Sequence, residues 1–229
     1  MTVAATNNTS YGLSQDFRTR IAVAQPSEDL RREFGDIDIY LFDQLHRGRI
    51  AEGMKVLDAG CGAGRNLVYL HRRGFDVWGT DGDEHAITRA RAQAAILAPS
   101  LPADHFRVER VERMSFENET FDVVISSAVL HFASDEEQWN AMLREMWRVL
   151  KPGGLFFARL ATNIGHETRV RPLGNRRFIM PDGDERFLVD EAFIVEATER
   201  MGGTLVDPLK TSVVQNTRSM MTWVARRTM

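Results

Sequence analysis

Through the middle of the chain, short runs dense in Val, Ile, Leu and Phe alternate with segments whose apolar positions recur every three or four residues. A parallel sheet covered by helices requires this alternation. Lys55 to Ala59 reads as the first strand and Phe75 to Thr80 as the second. Between them a helix is predicted from about Gly64 to Arg73, burying Leu67 and Leu70 and stopping at Gly74. Asp83 is placed to cap a helix carrying Ile87, Ala90, Ala94 and Leu97 on one face, with Pro99 and Pro102 ending it. His105 to Val111 is the expected third strand. Phe121 to Ser127 is the fourth, apolar on both faces and therefore central. Ser134 with Glu137 has the spacing of a capping box. The helix after it carries Trp139, Met142, Leu143, Met146, Val149 and Leu150. "KPGG" at 151–154 should stop that helix and launch a fifth strand, Leu155 to Leu160.

The order then changes. Residues 161–189 read as an insertion, where Pro-Asp-Gly-Asp between two β-prone runs predicts a hairpin. Asp190 should start a last helix reaching about Met201. Two strands, Thr204 to Val214 and Thr217 to Arg226, then close the chain and should run antiparallel. The expected architecture is α/β, a Rossmann-like, doubly wound sheet, with residues 11–229 forming one domain. Within it, residues 11–54 are a helical N-terminal cap that offers Ile39, Tyr40, Leu41, Phe42 and Leu45 for packing.

Composition narrows this picture. A chain of 229 residues, 43% of them hydrophobic, can bury one α/β core and a modest addition. The polar first ten residues have little to bury and are expected to be disordered. A net charge of -3 and a pI near 6.1 give no general attraction to nucleic acid or an anionic membrane. The single cysteine excludes an internal disulfide framework and a Cys-based zinc cluster, so no metal site is expected. With no signal-like start and no apolar run near the ~18 residues of a membrane span, a cytoplasmic location is expected.

The candidate chemistry begins at "VLDAGCGAGRN", residues 56–66, a strand running into a glycine turn. A dinucleotide fingerprint would be G-x-G-x-x-G, but after Gly60 and Gly62 the third glycine position is Arg65. Asp58, two residues before Gly60, would end a buried strand, and a buried carboxylate needs a partner. S-adenosylmethionine, with its sulfonium and ammonium, offers one. Asp81, 21 positions after Gly60, ends the neighbouring strand, where a carboxylate can accept both ribose hydroxyls.

With these residues in view, "VLDAGCGAGRN", "GTDGDEHAI", "FDVVISSAVLHF" and "RVLKPGG" together resemble the ordered motifs of class I S-adenosylmethionine-dependent methyltransferases, over roughly residues 55–160. "GRN", "VLHF" and the closing "MMTWVARR" are further similar to small tellurite-resistance-type methyltransferases. The resemblance implies a seven-stranded sheet, mostly parallel, with an antiparallel last strand. It implies S-adenosyl-L-methionine as cofactor, held by Asp58, Gly60, Cys61, Gly62 and Asn66 in the first loop. Asp81 would hold the ribose, with Gly82, Val111 and Glu112 around the adenine and Ser126 and Ser127 near the sulfonium and amine. Arg110 stands where the family often has an acid for the adenine amine.

His131, just after the fourth strand, is a candidate general base or else a packing residue. Arg169, Arg171, Arg176 and Arg177 could form a lid for an anionic acceptor or a solvated surface. Tyr11, Tyr40, Phe42 and Asp43 could cover the cofactor, whereas Trp139, Met142 and Met146 belong to the core. Cys61 fits the loop as a small filler residue. The expected function is methyl transfer to a small-molecule acceptor, with no membrane or nucleic-acid partner. The alternatives are a nucleic-acid or protein methyltransferase, and a non-catalytic cofactor-binding protein on the same scaffold.

Overall fold

The computed structural model describes residues 28–215 and 217–229. The tail expected over residues 1–10 and the covering role considered for Tyr11 lie outside the described residues. Two short helices come first, α1 (Glu28–Phe34) and α2 (Ile39–His46). Strand and helix then alternate: β1 (Lys55–Ala59), α3 (Val68–Arg72), β2 (Asp76–Asp81), α4 (Glu84–Leu97), β3 (Phe106–Val108), β4 (Phe121–Ser127), α5 (Glu136–Val149) and β5 (Leu150–Ala161). The remainder comprises β6 (Arg171–Gly174), β7 (Arg177–Ile179), β8 (Glu185–Phe187), α6 (Glu191–Arg200), β9 (Gly203–Leu205), β10 (Lys210–Val214) and β11 (Arg218–Arg227).

The main sheet runs β10-β11-β5-β4-β1-β2-β3, with β9 paired to β11. The pairs β1/β2, β2/β3, β1/β4 and β4/β5 are parallel, and β11 is antiparallel to β5 and β10, as the resemblance implied. The eighth strand arises because the expected run from Thr204 to Val214 breaks at Asp207-Pro208. Proline cannot donate to a ladder, and Asp207 is held by Arg49 at 2.6 Å. Each face of the sheet is covered. Trp139, Trp223, Phe156 and Phe187 anchor the cluster under α5 and α6, while Leu41, Leu67, Leu70, Ile87 and Phe106 fill the other under α2, α3 and α4.

Several local expectations need correction. The helix expected from Gly64 begins only at Val68, because Gly64 and Leu67 donate backwards to Cys61 and Gly64 carbonyls in consecutive turns. Strand β3 stops at Val108 instead of Val111. The cap of α5 is Asp135 rather than Ser134: its carboxylate accepts from the Gln138 N–H at 2.8 Å, and Gln138 Oε1 accepts from the Ser134 N–H at 2.7 Å. "KPGG" lies inside β5 as a bulge, where the register to β4 jumps between Phe121 and Val123. The insertion holds the expected hairpin, with β7 and β8 flanking Pro181-Asp-Gly-Asp, and adds β6 to make a small three-stranded antiparallel sheet.

Candidate functional site

The chain climbs β1, winds outward through β2 and β3, then crosses back to β4 on the other side of β1. The carboxyl ends of β1 and β4 therefore flank a topological switch point, the crevice where open α/β sheets bind ligands. The glycine loop leaves β1 there. Gly60 has φ +84°, and a Cβ on it would stand 2.4 Å from Val129 Cγ2, so only glycine lets the loop pass the turn after β4. Gly60 and Cys61 N–H groups both donate to the Thr80 carbonyl, at 2.8 and 2.9 Å, which locks the loop against the end of β2.

Asp81 ends β2 and orients the same loop. Its Oδ2 accepts from the Gly62 N–H and its Oδ1 from the Asp83 N–H, each at 2.9 Å. Each carboxylate oxygen keeps a further lone pair. Asp81, Gly60, Gly82, Val111 and Glu112 line one pocket of about 520 Å³. These five were expected from sequence. Ala128, Val129, Phe132, Gln138 and Met142 complete the wall with Arg110. Met142, assigned to the core from its spacing, is both core and wall. Periodicity sees only that such a residue is apolar, not that its tip reaches a cavity.

Asp58 does not line that pocket but lies behind it, 1% exposed, with neither carboxylate oxygen accepting a hydrogen bond. Burial pushes its pKa up to about 7, against the opposing pull of the Arg65 guanidinium and the Asn66 amide. Ser126 Oγ, at the end of β4, is likewise buried and unpartnered. Ser127 Oγ accepts from Arg65 Nη2 at 2.8 Å. Asn66 Oδ1 accepts from the Asp38 N–H at 3.0 Å, so this side chain ties the N-terminal cap to the glycine loop.

The pKa of Asp58 has a measurable sign. Its folded value lies above the unfolded value, so its contribution is fully present below about pH 4 and is lost as pH rises to about 7. His71 and His131, each lowered by burial to about 4, contribute in the opposite sense, their stability present above pH 6.5 and lost on acidification. The Asp58 slope is therefore visible as a difference. Asp58→Asn should gain on the wild type between pH 4 and 7, on the order of a few kcal/mol in urea-unfolding free energy at 1.36 kcal/mol per unit. A pH-independent difference would rule the raised pKa out.

Other expected site residues sit differently. The Cys61 thiol is in the core with Val77 and Phe106, and burial pushes its pKa well up. It fills space left by Gly79, where a Cβ would lie 2.9 Å from the sulfur. The thiol thus faces the core, and Cys61 is not among the residues that line the 520 Å³ pocket. Glu112 is held by Arg110 at 2.7 Å and Gln138 at 3.1 Å. Burial would raise its pKa, but its backbone amide and these two partners outweigh that and lower it.

His131 is buried and its Nδ1 accepts from the Ala161 N–H at 3.2 Å. Burial, aided by Arg186, lowers its pKa to about 4. A neutral ring accepting at Nδ1 carries its proton on Nε2. Of the insertion arginines, Arg176 pairs with Asp190 at 3.0 Å, and Arg177 pairs with Glu185 at 2.6 Å and donates to the Ala133 carbonyl. Arg169 and Arg171 are exposed. Tyr40 packs under the Arg159 guanidinium, Phe42 against Phe34, and Asp43 on Arg47. None of the three lines the 520 Å³ pocket.

A sheet in this order, with a glycine loop and two carboxylates at its switch point, defines a Rossmann-like domain for an adenosine-containing cofactor. Residues 57–158 match the family described as "Methyltransferase domain". A ubiquinone biosynthesis O-methyltransferase of a Chelativorans species is 30% identical over 172 residues, 69% of this chain and 64% of the relative. An uncharacterised Haemophilus influenzae protein is 35% identical over 126 residues, 54% of this chain and 49% of the relative. The chain spans between 40% and 65% of the length of the curated relatives it matches. Among solved structures, a Methanosarcina mazei S-adenosylmethionine-dependent methyltransferase superimposes with TM-score 0.68 at 22% identity, covering 81% of this chain and 97% of the other. A Burkholderia thailandensis 1,6-didemethyltoxoflavin-N1-methyltransferase gives 0.62 at 19%, covering 82% and 76%. Residues 57–158 therefore carry a methyltransferase domain, on a fold shared with S-adenosylmethionine-dependent methyltransferases of known structure. None of the described helices is long and apolar enough to cross a membrane.

Proposed function

We propose that this protein transfers a methyl group from S-adenosylmethionine to a small-molecule acceptor. One observation carries the reading: a buried carboxylate with no hydrogen-bond partner, Asp58, lies two residues before Gly60, and a second carboxylate, Asp81, ends β2 and lines the same pocket as Gly60. A cationic ligand with a ribose fits that pair of carboxylates, and a pyrophosphate does not. When bound, the cofactor supplies an electrophilic methyl carbon on a sulfonium that is itself the leaving group.

The residues of this chain then bind, orient and exclude water. Asp81 accepts from the ribose hydroxyls while its Gly62 and Asp83 bonds hold it in place. Gly82, Val111 and Glu112 face the adenine, and Ser126 and Ser127 bound the reacting end. Phe132 and Met142 close the apolar side, so that alignment and dehydration supply most of the rate. A small-molecule acceptor is supported by the net charge of -3 and by relatives named for ubiquinone biosynthesis. We assign His131 to holding the pocket wall. His131→Leu leaves the Ala161 N–H unpaired and should cost about 1–3 kcal/mol in urea unfolding, with S-adenosylhomocysteine affinity nearly unchanged. A large loss of affinity without destabilisation would contradict that role.

The test is a thermal-shift series with S-adenosylmethionine, S-adenosylhomocysteine, NAD and NADP, followed by methyl-transfer assays over hydroxyl, thiol, amine and carboxylate acceptors. Stabilisation by a nicotinamide cofactor alone would defeat the proposal.

A further inference from the structure

Among the described residues, nothing covers an apolar trough along α1 and α2. Two cavities, of about 440 and 330 Å³, adjoin there and share Phe34 and Phe42 as a common wall. Gly35, Ile37 and Ile39 also line the first, and Tyr69 the second. Ile39 is 67% exposed at the start of α2, and apolar surface gathered in one place marks a contact site. α1 bears on the same point. It is a helix of seven residues, none of them buried, and a helix that short does not hold together in water without packing. The ring contacts of Phe34 with Phe42 and Tyr69 anchor its last residue.

We infer that residues 13–24 of this chain form a helix that lies in the trough, folded back along α1. Leu13, Phe17, Ile21 and Ala24 recur at spacings of four, four and three, which puts them in one stripe of a helix. Pro26 ends such a helix at or before Gln25. Gln25, Pro26 and Ser27 then remain to join it to Glu28, and a connection of about 2 to 5 residues sets two helices side by side and antiparallel. So short a tether holds the segment beside the trough at a far higher effective concentration than a separate molecule would have. This favours the chain's own segment over a second copy. Docking there backs the turn between α1 and α2, whose Asp36 carbonyl and Asp38 N–H are bonded to Arg65 and Asn66 of the glycine loop.

The test is hydrogen exchange on the full chain, read segment by segment by mass spectrometry, with Phe17→Asp and Ile39→Asp as variants. Ile39 is exposed and opens α2, where an acid suits the start of a helix, so the second change leaves the buried core intact. In the wild type, the amides of residues 13–24 should exchange about 10- to 100-fold more slowly than those of an unstructured chain. Either variant should remove most of that protection and loosen α1, with β1 to β5 unchanged. Ile39→Val keeps the apolar surface and should keep the protection. A helix that formed without the trough would not respond to Ile39→Asp, so protection surviving that variant overturns the inference. Exchange at unstructured rates in the wild type overturns it as well. Protection that rises with protein concentration, alongside a dimer in sedimentation, would give the trough to a second copy and overturn it too.

Discussion

Asp81→Ala is expected to reduce S-adenosylhomocysteine affinity by about 100-fold or more, read by titration calorimetry. Two losses add in this variant. The ribose loses a charged acceptor, and hydrogen bonds to charged groups contribute about 1.5–3 kcal/mol each. The loop loses its clasp as well, because Gly62 and Asp83 N–H groups both donate to this carboxylate at 2.9 Å. Asp81→Asn separates the two effects. Its one carbonyl oxygen can serve a single N–H or hydroxyl pair, so the loss should be intermediate. Wild-type affinity in the alanine variant would remove Asp81 from the site altogether.

The largest effect on stability is expected at Trp139. This side chain is fully buried and stacks on Phe187 of β8 and Trp223 of β11, with ring centroids 6.0 and 6.4 Å away, and it meets Phe193 of α6 edge-on at 4.8 Å. It joins the insertion, the last helix and the antiparallel strand into one core. Trp139→Ala should cost about 3–5 kcal/mol in urea unfolding, a large fraction of the 5–15 kcal/mol typical of a domain. Trp139→Phe should recover much of it, since the indole Nε1 has no hydrogen-bond partner to lose. A cost below about 1 kcal/mol in the alanine variant would show that the aromatic stack is not a joint of the fold.

Much of this was legible from local pattern. The apolar run Phe121 to Ser127 marked a central strand because both its faces are buried. Asp83 and Asp190 marked helix starts because their carboxylates accept from N–H groups that a helix leaves unpaired. The glycine loop, Asp58, Asp81 and Gly82 were legible because the spacing of glycines and acids along neighbouring strands is a local constraint. Where expectation failed, a distant partner decided. "KPGG" looked like a break and became a bulge because β4 and α5 hold Leu150 in register with Phe121. Ser134 lost the helix cap to Asp135 because Gln138 could serve both.

Composition and periodicity, then, were enough to determine an α/β chain with a glycine loop and an acid at each of two strand ends, since backbone sterics and strand alternation act over a few residues. Only the tertiary structure could decide what those residues face. Whether His131 has a free nitrogen depends on the Ala161 N–H thirty residues away. Whether Cys61 meets the cofactor or the core depends on the gap above Gly79. Whether Arg65 meets a carboxylate or the neutral Ser127 hydroxyl depends on the end of β4, which the sheet brings alongside the glycine loop. Burial and partnering set the chemistry of each group, and both are properties of the assembled sheet.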